Sequence, residues 1–167
     1  MNARRIATGV LLAASGAISS CGGPGTRIVL RLSTNFEQTG LTGQLQTVYV
    51  TVGTASSTGT THQFVIGEPN APPLPQDLAI VPGDAGTGEP IVIIVRANDP
   101  AGNERVRQQA IVSFNPGHTV LLRVPLTLEC AGLACPAGQF CAIGSSFPTC
   151  VAADQAPTEI ADDLTAP

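Results

Sequence analysis

The sequence predicts an all-β protein: a single immunoglobulin-like antiparallel β-sandwich with a small C-terminal disulfide-rich module. Three observations predict it. Short apolar segments alternate with a period of two, turn signals separate them at hairpin-like intervals, and four of five cysteines crowd into residues 130–150. No segment shows an amphipathic helical period with caps. A chain of 167 residues with 43% hydrophobic content suffices for one domain with small extras.

The sandwich is expected over residues 27–128. Its first strand is RIVLRLS (27–33), with Ile28, Leu30 and Leu32 on one face and Val29, Arg31 and Ser33 on the other. QLQTVYVTV (44–52) sets Val48, Val50 and Val52 against Thr47, Tyr49 and Thr51. THQFVI (61–66) is shorter, with His62, Phe64 and Ile66 to one side, and DLAIV (77–81) is a weak strand behind the Pro-rich EPNAPPLP. PIVIIVRA (90–97) is β-branched and apolar on both faces, as a central strand is. RVRQQAIVSF (105–114) turns Val106, Gln108, Ala110, Val112 and Phe114 inward. TVLLRVPLTL (119–128) closes the series with Val120, Leu122, Val124 and Leu126.

The punctuation agrees. NDPAGNE (98–104) and NPGH (115–118) are tight turns, in which Pro pre-sets φ and Gly takes positive φ. GTASSTGT (53–60) and PGDAGTGEP (82–90) read as polar loops. In an up-and-down alternation of seven strands the first and seventh point the same way. The cysteine segment then lies at the pole opposite the N-terminal entry; if DLAIV is not a strand the count is six and the segment falls back to the entry pole.

Charge narrows the partners. From Cys21 onward six Arg face twelve acids, a net charge of −6, and Lys is absent. The chain lacks the clustered cations that nucleic acid requires and has no polybasic patch for anionic lipid.

At the N-terminus the basic MNARR precedes IATGVLLAASGAI, thirteen residues without a charge. A spanning helix takes about 20 residues, so this run has instead the length of a secretory signal's apolar region. Ile18, Ser19, Ser20 and Cys21 then resemble a bacterial lipobox. That resemblance implies removal of residues 1–20, diacylation of the Cys21 thiol and acylation of its new amine, hence a membrane partner through Cys21. Several acyl chains on one residue meet the need of stable anchoring for more than one chain. Gly22, which is not Asp, points by the same resemblance to the outer membrane. The alternative is an ordinary signal cut elsewhere, for example after Gly16, with Cys21 left free. Residues 21–26 form a tether whose GGPGT reaches at most ~17 Å.

With Cys21 assigned to lipid, Cys130, Cys135, Cys141 and Cys150 are an even set with spacing C-x4-C-x5-C-x8-C over residues 129–150. Three pairings are possible. A four-cysteine zinc site is the competing reading, but no gap is as short as the usual C-x2-C knuckle, and export favours disulfides. The segment resembles small cysteine-rich modules of EGF-like character, which implies the alternating ties Cys130–Cys141 and Cys135–Cys150. More widely, VRANDPAGNERVRQQAIVSFNPGHTVLLRVPLTLECAGLACPAGQFC resembles the ending of predicted lipoproteins of myxobacterial type. Those pair a sandwich-like domain with a terminal C-x4-C-P-x-G-Q-x-C element, and the resemblance implies location and architecture only. The last gap, AIGSSFPTC, is longer than that pattern. The tail 151–167 holds Asp154, Glu159, Asp162 and Asp163 without a cation and reads as a solvated, disordered end.

No catalytic set emerges: there is no G-x-S-x-G elbow, H-E-x-x-H, P-loop or dinucleotide fingerprint, and no cofactor is implied. His62 reads as a strand-face residue and His118 as a turn residue. No metal site is assigned, although Asp99 and Glu104 flank one turn and could hold a loop Ca²⁺ with backbone carbonyls. Sugars stack on exposed rings, and the chain offers Tyr49 and a few Phe. Phe140 and Phe147 are candidate contacts, with a miniature core as the plainer reading. The functional expectation is a lipid-anchored, non-enzymatic interaction or structural module of the cell envelope that meets an envelope protein. The alternative is a glycan- or peptidoglycan-binding module.

Overall fold

Alternating burial organises the molecule. The computed structural model describes residues 12–13, 25–36, 45–66, 74–83, 87–144, 147–162 and 164. Cys21 and nearly all of the predicted signal and tether lie outside the described residues. The strands are β1 (Leu12–Ala13), β2 (Arg27–Thr34), β3 (Thr47–Thr54), β4 (Ser57–Val65), β5 (Gln76–Ile80), β6 (Ile91–Asn98), β7 (Glu104–Val112), β8 (Thr119–Leu126), β9 (Gln139–Ile143), β10 (Pro148–Ala152) and β11 (Thr158–Ile160). The first sheet runs β1-β5-β2-β8-β11 and the second β4-β3-β6-β7, while β9 and β10 form a separate hairpin. The protein is an all-β sandwich.

The inward set is the one the period of two predicts. Ile28, Leu30, Leu32, Leu122, Val124 and Leu126 of the first sheet meet Val48, Val50, Val52, Ile93, Val95, Val106 and Ala110 of the second. β6 is central, with β3 and β7 on either side.

The pair β2–β8 is parallel, from Arg27↔Thr119 to Thr34↔Leu126, whereas every other described pair is antiparallel. First and last sandwich strands therefore do point the same way. Arg27 and Thr119 mark a near pole, where the N-terminal segment enters, and Thr34 and Leu126 mark the far pole.

Two loop readings change. GTASSTGT is not a loop: β3 reaches Thr54 and β4 begins at Ser57, so the turn is only Ala55–Ser56. Glycine makes this possible. A Cβ on Gly53 would lie 2.9 Å from the Gly59 Cα, and one on Gly59, at φ +56°, would lie 2.5 Å from the Val52 carbonyl oxygen. Only two glycines let the strands continue past the bulge between Val52 and Thr54.

The second change is larger. The expectation of a disordered tail over 151–167 is corrected. Val151 and Ala152 belong to β10, and β11 pairs with β8 through Thr158↔Leu122 and Ile160↔Val120. The chain thus runs back along the first sheet to the near pole. Ala161 and Leu164 cover Val29 and Leu121 there, a second small apolar cluster outside the sheet. Leu121 has alternation's outward phase yet is 1% exposed, because the returning segment shields it.

Candidate functional site

The cysteine segment is laid against the sandwich flank rather than standing apart from it. Cys130 is tied to Cys141 and Cys135 to Cys150, the alternating pattern. A 3₁₀ turn at Leu128–Cys130 follows β8, and the Gly132 N–H then donates to the Arg105 carbonyl at 3.0 Å, at the start of β7. Both neighbours place this first cysteine at the far pole.

Gln108 joins the two parts. Its side chain sits at an inward position of β7 and is 1% exposed. The Gln108 Oε1 accepts from the Cys141 N–H at 2.9 Å, while Nε2 donates to the carbonyls of Cys141 at 3.2 Å and Pro125 at 3.0 Å. A primary amide thus imitates a strand's donor and acceptor, satisfying backbone groups that the interior would otherwise leave unpaired. Gln109 Oε1 accepts from the Gly138 N–H at 3.2 Å, which seats the hairpin's base beside the same strand.

The two candidate rings separate. Phe140 is 2% exposed and belongs to the sandwich core, as the plainer reading has it, so it is not a contact residue. Phe147 is 77% exposed at the tip of the β9–β10 hairpin, next to Ile143 at 51%. The hairpin base, with Gly138 and Ala153, lies by Gln109 and the later part of β7, so the tip is directed toward the far pole.

One of the two histidines does structural work. His118 Nδ1 lies 2.7 Å from Asp162 Oδ2, and Asp162 Oδ1 accepts from the Thr119 N–H at 2.8 Å. Those bonds, from His118 first and the backbone second, hold the Asp162 carboxyl below the usual carboxylate range. Arg27 completes the latch, donating to Thr119 Oγ1 at 3.0 Å and to the Leu164 carbonyl at 2.6 Å. This His–Asp pair is half-exposed, and it does not line the groove found on the flank, which Ile111, Val112, Val120, Asp154 and Ile160 help to form. His62 is a half-buried strand residue whose Nε2 is buried without a partner among the described residues.

Asp99 is spent on its own turn. It accepts from the Ala101 and Asn103 N–H groups and from the Asn103 side chain, which hold its carboxyl below the usual range. Among the described residues no group of three or more His, Cys, Asp or Glu could hold a metal ion, and no helix is long and apolar enough to cross a membrane. No family model, curated protein or solved structure matches the chain.

Proposed function

We propose that the chain is a lipid-anchored, non-enzymatic interaction module of the bacterial cell envelope, with Cys21 as its attachment point in the outer membrane. One observation carries the reading. The parallel β2–β8 pair separates the N-terminal entry from a disulfide-tied pole that exposes Phe147 and Ile143. A body held at one end and presenting apolar side chains at the other suits contact with another envelope component.

The tether is shorter than its sequence suggests. Thr26 Oγ1 already accepts from the Gly117 N–H at 2.8 Å, so the body is fastened from Thr26 onward. The body then stands close to the bilayer. Cleavage before Cys21 removes β1 and leaves β5 as the edge of the first sheet.

Mass spectrometry of the mature N-terminus tests the anchor: a diacylated or triacylated Cys21 is expected, and an unmodified N-terminus elsewhere refutes it. Crosslinking from position 147 in intact envelopes tests the contact. A specific protein partner lost in Phe147→Ser supports the reading, and an identical pattern without the ring refutes the role of this tip.

A further inference from the structure

We infer that the outer face of the second sheet binds an acidic polysaccharide, through a row of residues centred on Arg96 and Arg107. This deepens the interaction-module reading and rests on it, but it does not depend on the anchor.

The observation is a pair of like charges in register on neighbouring strands. β6 and β7 pair with Arg96 directly opposite Arg107 on the solvent side. Like charges directly opposite on neighbouring strands destabilise a sheet. The body carries a net charge of −6, yet among the described residues no carboxylate pairs with Arg96 or Arg107. Arg31 pairs with Asp77, Arg105 with Asp99 and Arg123 with Glu159, while Arg27 takes Thr119 and the Leu164 carbonyl. Arg96 and Arg107 alone among the described arginines meet no carboxylate or carbonyl of the described residues. A local conflict retained in an otherwise consistent sheet is where a functional site is expected.

The surroundings specify the ligand. Register places Gln63, Tyr49, Arg96 and Arg107 in one line across all four strands. At ~4.8 Å per strand the line is about 14 Å long. The next row on the same face is Thr61, Thr51, Ile94 and Gln109. The Arg96 guanidinium lies 5.6 Å from the Tyr49 ring centroid, a cation–π contact that holds one cation in place. Guanidinium forks match carboxylates, and the flanking Gln63 amide and threonine hydroxyls match sugar hydroxyls.

Other anionic partners fit less well. A membrane surface draws on clusters of four to eight cations, and nucleic acid binding rests on several phosphate contacts. An extended peptide adds to a sheet edge, whereas these arginines lie opposite each other between strands. A carboxylate-bearing glycan needs only a flat polar face with a few fixed cations.

Tyr49 makes the test direct. It is the only Tyr, and there is no Trp, so intrinsic fluorescence reports this face. The whole chain is titrated with polygalacturonate, and in parallel with dextran, poly-glutamate and phosphatidylglycerol vesicles. Saturable binding to polygalacturonate is expected, weakened by salt and reduced at least tenfold by Arg107→Gln and by Arg96→Gln. Arg107→Gln should melt no lower than the parent, since it relieves a like-charge pair, so a loss of binding is not a loss of fold. Equal binding to dextran, tighter binding to poly-glutamate or vesicles, or full affinity in both variants would overturn the assignment. If it fails while Cys21 proves acylated and position 147 captures its partner, the interaction-module reading stands without this ligand.

Discussion

The sandwich and the flanking C-terminal segment are held by different physics. Between Arg27 and Leu126, order comes from many interchangeable apolar contacts, each inward residue at its period-two position. From Cys130 to Leu164, apolar packing is confined to a few residues such as Phe140 and Ala161, and specific bonds add to it: two disulfides, one buried amide and one carboxylate latch. The contrast teaches that a short segment without periodicity can be well ordered when a preformed surface supplies its partners.

The two regions should respond differently to substitution, and the largest effect is expected in the core. Leu122→Ala, at a fully buried position, should cost about 2–5 kcal/mol and lower the single unfolding transition of the whole chain in a denaturant titration. Replacing Cys135 and Cys150 together by Ala should cost about 3 kcal/mol, the value for a 15-residue loop. Here hydrogen exchange should rise first in β9 and β10, with sandwich amides following only later. Uniform loss of protection in that variant would show that the two regions are one cooperative unit.

Gln108→Ala is next. It leaves the Cys141 N–H, the Cys141 carbonyl and the Pro125 carbonyl without their partner, a cost of about 2–3 kcal/mol in thermal melts. Gln108→Leu should recover little of it, because the loss is polar pairing and not volume.

The latch predicts a pH effect confined to one end. The Asp162 pKa is depressed in the folded state, chiefly by His118 and then by the Thr119 N–H. Its contribution is therefore full above the unfolded carboxylate range near ~3.9 and is lost as the pH falls through the lower folded value. Amides of Thr119 and Ala161 should lose exchange protection in that acid window while those of β3 and β6 keep theirs. In Asp162→Asn the window should vanish. The smallest stability effect is expected for Phe147→Ser: a ring 77% exposed contributes little, so the melting temperature should shift by no more than ~0.5 kcal/mol would give.

Most of the seven sandwich strands were legible because they carry alternating apolar residues that one face buries, and β6 because its run is β-branched and apolar on both faces. β4 was read too short, since Ser57–Thr60 has no apolar residue to mark a phase and its pairing depends on Gly53 facing Gly59. β9, β10 and β11 left no periodic trace, being three to five residues long and stabilised by partners outside themselves. Of the candidate contacts, Phe147 stayed exposed and Phe140 did not, a difference set by which side of a hairpin faces β7. Gln108 stood in the inward series as an anomaly, and an inward amide is the one trace that could have disclosed the junction with the cysteine segment.

Residue order alone determined the all-β class and the inward apolar set, because periodicity and turn chemistry are local properties, whereas the common direction of β2 and β8 was settled by their pairing. Tertiary structure alone decided that the acidic tail returns along β8 to the near pole, that Phe140 is core, and that Arg96 faces Arg107. Each of these depends on which residues meet across strands distant in sequence, and local propensity carries no information about that.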